Sequence, residues 1–470
     1  MPRSTSNRVL FCGACVWAVL GAAFLAQTTQ SRVVFLPFEE ARPALRLSKE
    51  PLALSSEWPQ WIRKKDTEIR ARLTQGDEDS LVNFLLFGTS FTTQPRMTAR
   101  QIETIMASSA DSAVSGATLD AITQARLDDV VRTAAAPRGN ERLAFVQKTL
   151  QTKGLTLQTA DGQAAAKTYL LHALSRVLEE YETYTQIIEQ ADRSPVPGAA
   201  FARRSALYRA RGLSSDTSLL PDFGVEEALR TMQSKGLLPK QIRRVAIVGP
   251  GLDFADKQEG NDFYPVQTVQ PFAVMDSLLR LGLVSEDDLR ITTLDLSARV
   301  NAHLGDVRVR SLKGQPSVLQ LPLDTTEVWS DAFVRYWTAF GDQIGDAFTP
   351  VVIPSNRADV KVRAVRVRPA FGAKLTPIDL NIVLQRLELP IDEAFDLVVG
   401  TNVFLYYDEF QQALAMANIE RMLRPGGVLL SNNALVELPT SRVRFVGSTT
   451  LQYSNRKDNG DTIVWYKCVE

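Results

Sequence analysis

Apolar residues recur with two different periods along this chain, and the change divides it. From Trp58 the spacing is helical: Trp61, Ile62, Ile69 and Leu73 recur every few positions, with Lys64, Lys65, Glu68 and Arg70 between them. Such spacing puts one apolar stripe on a helix. Gly76-Asp-Glu-Asp-Ser80 reads as a turn that caps a second helix starting at Leu81. Helical pattern continues over 98–135, 140–152 and 162–192. In the last of these Leu174, Val177, Leu178, Tyr181, Tyr184 and Ile188 share a stripe, so the tyrosines read as core. Residues 31–55 are mixed and proline-containing, an extended lead-in, and Pro195-Val-Pro-Gly198 closes the helical region.

In the second half the runs shorten. Val245 to Val248 is a continuous apolar run that enters a glycine turn, Gly249-Pro-Gly251. Runs of this kind are strands buried on both faces of a parallel sheet. A long loop, Leu252 to Gln270, carries Asp253, Asp256, Lys257, Glu259 and Asp262, and a helix runs from Pro271 to Gly282. Leu289 to Leu294 predicts a second strand, ended by Asp295-Leu296-Ser297. Lys361 to Arg368 alternates basic and apolar residues. It predicts a strand with its basic residues outward; as the third strand it would fall at the sheet edge, where charges discourage edge-to-edge association, with anion binding as the alternative use of those residues. Thr376-Pro-Ile-Asp379-Leu380 follows. Phe395 to Thr401 is the fourth strand. Asp408 and Gln411 form a capping box for the next helix, and Val428 to Ser431 is the fifth strand. Arg442–Tyr453 and Thr462–Val469 pair as a terminal antiparallel hairpin. Residues 305–360 interrupt the alternation as an insertion. Its aromatics Trp329, Phe333, Trp337 and Phe340 stand at helical spacing, as core or as a lid over an acceptor pocket.

The expected organisation is therefore a leader at 1–30, a mainly helical region at 31–222 and an α/β unit at 223–470. A chain of 470 residues is too long for one ordinary core. Apolar content of 45% and charged content of 23% describe a globular protein. Lys plus Arg equals Asp plus Glu at 53 each, so no nucleic-acid partner is indicated. Arg3 and Arg8 precede an uncharged run, Val9 to Ala26, with small residues at its end. That order is the layout of a signal peptide, or of an uncleaved anchor that would associate residues 9–26 with a membrane. It predicts export to the periplasm or exterior, or anchoring; a misassigned start would leave the protein cytoplasmic. Cys12 and Cys15 fall in the leader, leaving Cys468 without an intrachain partner. No metal-ligand spacing is present, and His172, on a helix, reads as structural.

Chemistry concentrates at the glycine turn and the second strand's tip. Glycines there let a ligand sit against the main chain. Asp295 can accept two hydrogen bonds from a ribose diol, or help cap the next helix, and the two roles are compatible.

Together these residues resemble a class I S-adenosylmethionine-dependent methyltransferase over roughly 225–470. Val245-Ala-Ile-Val-Gly-Pro-Gly251 with Asp295 is similar to the family's first motif. Phe395-Asp-Leu-Val-Val-Gly-Thr-Asn402, followed by Leu423-Arg-Pro-Gly-Gly-Val-Leu-Leu430, is the most specific part, and the terminal hairpin is the family's ending. The resemblance implies a Rossmann-like seven-stranded α/β sheet and S-adenosylmethionine as cofactor. It implies that Gly249 and Gly251 admit the amino-acid moiety, that Asp295 holds the ribose hydroxyls with Leu296 also at the cofactor, and that Asp379 and Leu380 meet the adenine. Asn402 then lies toward the methyl group. Three departures stand out: no acid precedes the first glycine, Asp253 replaces the third glycine, and the long loop Leu252 to Gln270 separates the glycine turn from its helix. A carboxylate there is expected to contact the ammonium or sulfonium.

Methyl transfer from a sulfonium needs alignment and exclusion of water more than a catalytic base, so the chain names no catalytic residue. Tyr406 and Tyr407 either shape an acceptor pocket or pack against the helical region. Two functions stay open: a methyltransferase of unknown acceptor, and an exported non-catalytic protein that keeps the fold.

Overall fold

A computed structural model describes residues 32–48, 55–107, 112–192, 208, 211–255, 261–456 and 459–469. The leader, Asp256, Lys257, Glu259, Pro195–Gly198 and the side chains of Tyr181, Tyr184 and Ile188 lie outside these. Among the described residues no helix is long and apolar enough to cross a membrane.

The strands are, in order, β1 (Val33–Phe35), β2 (Arg244–Val248), β3 (Arg290–Asp295), β4 (Ser317–Asp324), β5 (Gly345–Phe348) and β6 (Val360–Val367). Then come β7 (Leu375–Asp379), β8 (Gln385–Leu387), β9 (Phe395–Gly400), β10 (Leu423–Ser431), β11 (Val443–Gln452) and β12 (Gly460–Cys468). The seven-stranded sheet has the order β11-β12-β10-β9-β2-β3-β7. Strands β7, β3, β2, β9 and β10 run parallel, and β12 is inserted antiparallel between β10 and β11. The terminal hairpin is thus as expected. This is the Rossmann-like mixed sheet implied by the first motif and the Arg-Pro-Gly-Gly run.

Alternation along β2 sets the layers. Val245 and Ile247 enter one core, with helices Leu220–Ser234, Gln270–Arg280 and Ala298–Leu312. Ala246 and Val248 enter the other, with helix Glu409–Met422. That second core also takes in Leu36, Ala41, Ala44 and Trp58. The lead-in is therefore not merely extended: β1 pairs antiparallel with β8, and Trp58 Nε1 donates to the Leu36 carbonyl at 2.8 Å.

Two expectations are corrected. Lys361–Arg368 is not the third strand of the main sheet; β7 holds that edge. As β6 it is the centre of a separate three-stranded antiparallel sheet, β4-β6-β5. Its basic side chains are used locally: Arg363 donates to the Trp337 carbonyl and Lys361 lies over the Trp337 ring. Pro322 in β4 obscures the strand pattern, and it is tolerated because β4 is an edge. The second correction is Gly76. It is no turn but the interior of one helix, Trp58–Phe87. A Cβ on Gly76 would lie 1.9 Å from the Leu213 carbonyl oxygen, and one on Gly212 would lie 2.2 Å from the Gly76 nitrogen. The glycine pair lets a later segment cross the helix backbone to backbone.

Candidate active site

That crossing segment leads to the site. After Gly212 the chain passes over the glycine turn as a strap, Ser214 to Ser218. Leu252 N donates to the Ser215 carbonyl at 2.7 Å, and Thr217 N donates to the Leu252 carbonyl at 2.9 Å. Side chains tie the strap down: Ser80 Oγ donates to Asp216 at 2.8 Å, and Arg299 donates to Ser215 Oγ at 2.7 Å. Gly249 and Gly251 have φ of 63° and 65°. A Cβ on Gly251 would stand 2.8 Å from the Ser215 oxygen, and one on Gly249 would stand 2.6 Å from Val403 Cγ2. These glycines are needed for the turn's left-handed backbone and for the close approach of strap and β9 loop.

Beneath the strap is a cavity of about 330 Å3, in the range of small-molecule sites. It opens at the carboxyl ends of β2, β3 and β9. The sheet's winding reverses between β2 and β9, which is where doubly wound sheets bind ligands. Gly249, Gly251, Asp295, Leu296, Leu380 and Asn402 all line it. So do strap residues, Tyr208, Ile382, Thr401, Val403, Tyr406 and Tyr407.

Asp295 is nearly fully buried at the tip of β3. One carboxylate oxygen accepts from Ser297 N at 2.7 Å, and Gly251 also donates a backbone bond. Ser297 Oγ then caps helix Ala298–Leu312. Burial pushes the Asp295 carboxyl up to about 7 despite those donors. A ligand that brought hydroxyl donors would stabilise the ionised form. Leu296, Leu380 and Ile382 add apolar wall.

Asn402 is one of two described non-glycine residues with positive φ, at 58°. Its backbone N donates to Asn432 Oδ1 at 2.8 Å, and Asn432 Nδ2 donates back to Asn402 Oδ1 at 2.6 Å and to Asp461 at 3.1 Å. Beside it Gln270 Nε2 bridges Thr401 Oγ1 at 2.8 Å and Asp222 at 3.1 Å. Burial raises the Asp222 carboxyl to about 8.

Two candidates stand elsewhere. Asp253 does not line the cavity; its carboxylate accepts from Tyr264 Oη at 2.8 Å and Gln267 Nε2 at 2.9 Å. Its loop is claimed by the helical region. Arg142 donates to the carbonyls of Phe254 and Tyr264, and Asp262 accepts from Thr89 and Ser90. Asp379 also lies off the cavity, in an ion pair with Arg70 at 2.7 Å. Tyr406 and Tyr407 are buried and also line the cavity, and the Arg72 guanidinium of the long helix lies over the Tyr407 ring. The aromatic stripe is core, not lid: Phe333, Trp337 and Phe340 are buried, and Phe333 packs on Phe223. Sequence reasoning missed the strap, because a short polar run carries no periodicity; Gly212 was its only signal. Among the described residues no group of His, Cys, Asp or Glu is arranged to hold a metal ion.

The family model for a methyltransferase domain matches residues 358–431, from β6 through β10. No curated protein matches the sequence. Among solved structures, the glycopeptide N-methyltransferase MtfA is similar at 14% identity over 52% of this chain and 73% of its own, with a TM-score of 0.21. A TehB-like SAM-dependent methyltransferase from Corynebacterium glutamicum is similar at 9% identity over 58% of this chain and 98% of its own, with a TM-score of 0.24. Magnesium protoporphyrin IX methyltransferase from Synechocystis is similar at 8% identity over 58% and 85%, with a TM-score of 0.24. Likenesses of this size carry no argument about activity. The family match and the strand order together put a methyltransferase domain, on a Rossmann-like seven-stranded sheet, in the C-terminal half of this chain.

Proposed function

We propose that the chain transfers a methyl group from S-adenosylmethionine to an acceptor bound beside Asn402. The observation that carries this reading is the cavity under the strap. It joins Gly249, Asp295, Leu296, Leu380 and Asn402 at the sheet's switch point. In this reading the buried Asp295 carboxylate accepts from the ribose diol. Leu296, Leu380 and Ile382 flank the adenine, and the turn at Gly249–Gly251 lies along the amino-acid end. The ionisable side chains lining the cavity are Asp216, Asp295 and tyrosines, which complement a sulfonium cation. S-adenosylmethionine supplies an activated methyl group; the protein's part is alignment and exclusion of water. In an in-line displacement the acceptor's lone pair forms the new bond to the methyl carbon. The sulfur–methyl bond breaks, its electron pair stays on sulfur, and the acceptor's proton leaves to solvent. Asn402 Oδ1 is held by Asn432, so its amide nitrogen is presented as a donor that can orient an acceptor but cannot deprotonate it.

Calorimetric titration tests this. S-adenosylmethionine should bind saturably, and Asp295→Ala should weaken it by about tenfold or more, the worth of hydrogen bonds to a charged group. A folded protein that binds neither S-adenosylmethionine nor its demethylated product would instead be a non-catalytic protein that keeps the fold. That rival is favoured by the leader from Arg3 to Ala26. Export or anchoring through residues 9–26 is part of the proposal, and N-terminal sequencing of the mature protein tests it.

A further inference from the structure

The opposite end of the sheet holds a second concentration of charge. At the amino ends of the parallel strands, Arg244 of β2 stands directly opposite Arg290 of β3. Like charges facing each other on neighbouring strands are unfavourable. Both arginines line two adjoining cavities, of about 180 and 360 Å3. The nearby acids are largely spoken for. Asp396 accepts from the backbone nitrogens of Arg243 and Arg244 and pairs with Arg424. Glu393 pairs with Arg32, and Asp288 accepts from Ser285. Asp392, exposed, lines only the larger cavity. Among the described residues neither Arg244 nor Arg290 has an ion-pair partner; Arg290 Nη1 donates only to the carbonyls of Asp287 and Leu289. Lys374 adds a further cation near Arg290 and has Glu286 and Asp287 close to it.

The smaller cavity is built for more than water. Thr292 and Thr376 put two hydroxyl-bearing side chains on the same sheet face as the two arginines, and Ile378, Leu387 and Phe395 make its apolar wall. We infer that this cavity is a binding site for a small oxyanion, a phosphate or carboxylate group, held by Arg244 and Arg290 and hydrogen-bonded by Thr292 and Thr376. Guanidinium forks match the planar or tetrahedral oxygens of such groups. A bound anion also cancels the Arg244–Arg290 repulsion. The site lies across the sheet from Asp295 and does not depend on the methyl-transfer reading.

Inorganic phosphate and malonate, each titrated against sodium chloride at matched ionic strength, test it by calorimetry and thermal melting. At least one should bind saturably and raise the melting temperature. Phosphate alone would assign a phosphoryl ligand, malonate alone a carboxylate ligand, and both a site that reads charge. Arg290→Gln should weaken binding by about tenfold or more, and Thr376→Val should weaken it without changing charge. Arg290 is exposed, so its variant should keep the parent's circular dichroism and melting in chloride. Stabilisation no greater than chloride gives, or unchanged binding by Arg290→Gln, overturns the inference.

Discussion

Asp295 has two tasks that pull against each other. It closes the turn after β3 through Ser297 N, and it holds an ionisable group in a buried place. Its carboxyl titrates near 7 in the folded protein, against about 3.9 in an unfolded chain. The sign follows: its contribution to stability is fully present below about pH 4 and is lost as pH rises towards 7. Asp295→Asn should therefore melt higher than the parent at pH 8, by on the order of 1–3 kcal/mol, while binding S-adenosylmethionine at least about tenfold more weakly. In the parent, cofactor affinity should rise between about pH 6 and pH 8 as the carboxylate forms; in the Asn variant that rise should vanish. A pH-independent affinity in the parent would detach Asp295 from the cofactor. Legibility at this scale follows from locality. That Gly249, Gly251, Asp295 and Leu296 line one cavity was readable because each stands at or just past the end of a strand of the sheet. The place of Asp253 was not, because its partners Tyr264 and Gln267 lie across a loop whose path no short motif dictates.

At the scale of elements, glycine explains what periodicity could not. Gly76 sits mid-helix because the strap's root crosses there. Gly116, inside helix Ser112–Ala134, has ordinary helical φ, and a Cβ added there would meet nothing within 4 Å. Gly116→Ala should stabilise the protein by about 0.5–1 kcal/mol, since it only removes backbone freedom from the unfolded chain. Gly76→Ala should destabilise it by about 2 kcal/mol or more, as overpacking does, and weaken cofactor binding by lifting the strap. Urea denaturation of the two variants side by side checks both; equal effects would mean the crossing has room for a methyl group. The parallel strands β2, β9 and the end of β10 were legible as apolar runs, β3 as a β-branched stretch, and the hairpin β11–β12 as two strand patterns about a polar turn. The small sheet was not. β6 shows a clean alternation, yet nothing in it says which sheet it joins. That choice is made by β4 and β5, whose register with β6 is non-local.

Across the whole molecule, the helical region and the sheet share side chains. Phe254 and Ala255, from the loop after the glycine turn, belong to the helical core with Phe84 and Leu127. Strand β1 pairs with β8, and Arg70 of the long helix pairs with Asp379 at the tip of β7. Scanning calorimetry should accordingly show one transition for both regions, moved upward together by saturating S-adenosylmethionine; two independently shifting transitions would contradict this coupling. The sequence suggested a helical part followed by an α/β part, and it concealed their interdependence, because contacts such as Arg142 to the Phe254 carbonyl join residues far apart in the chain. The strap has one last consequence. A gene trimmed to begin at Leu220 would encode every strand of the seven-stranded sheet and still leave the cavity at their carboxyl ends without a ceiling.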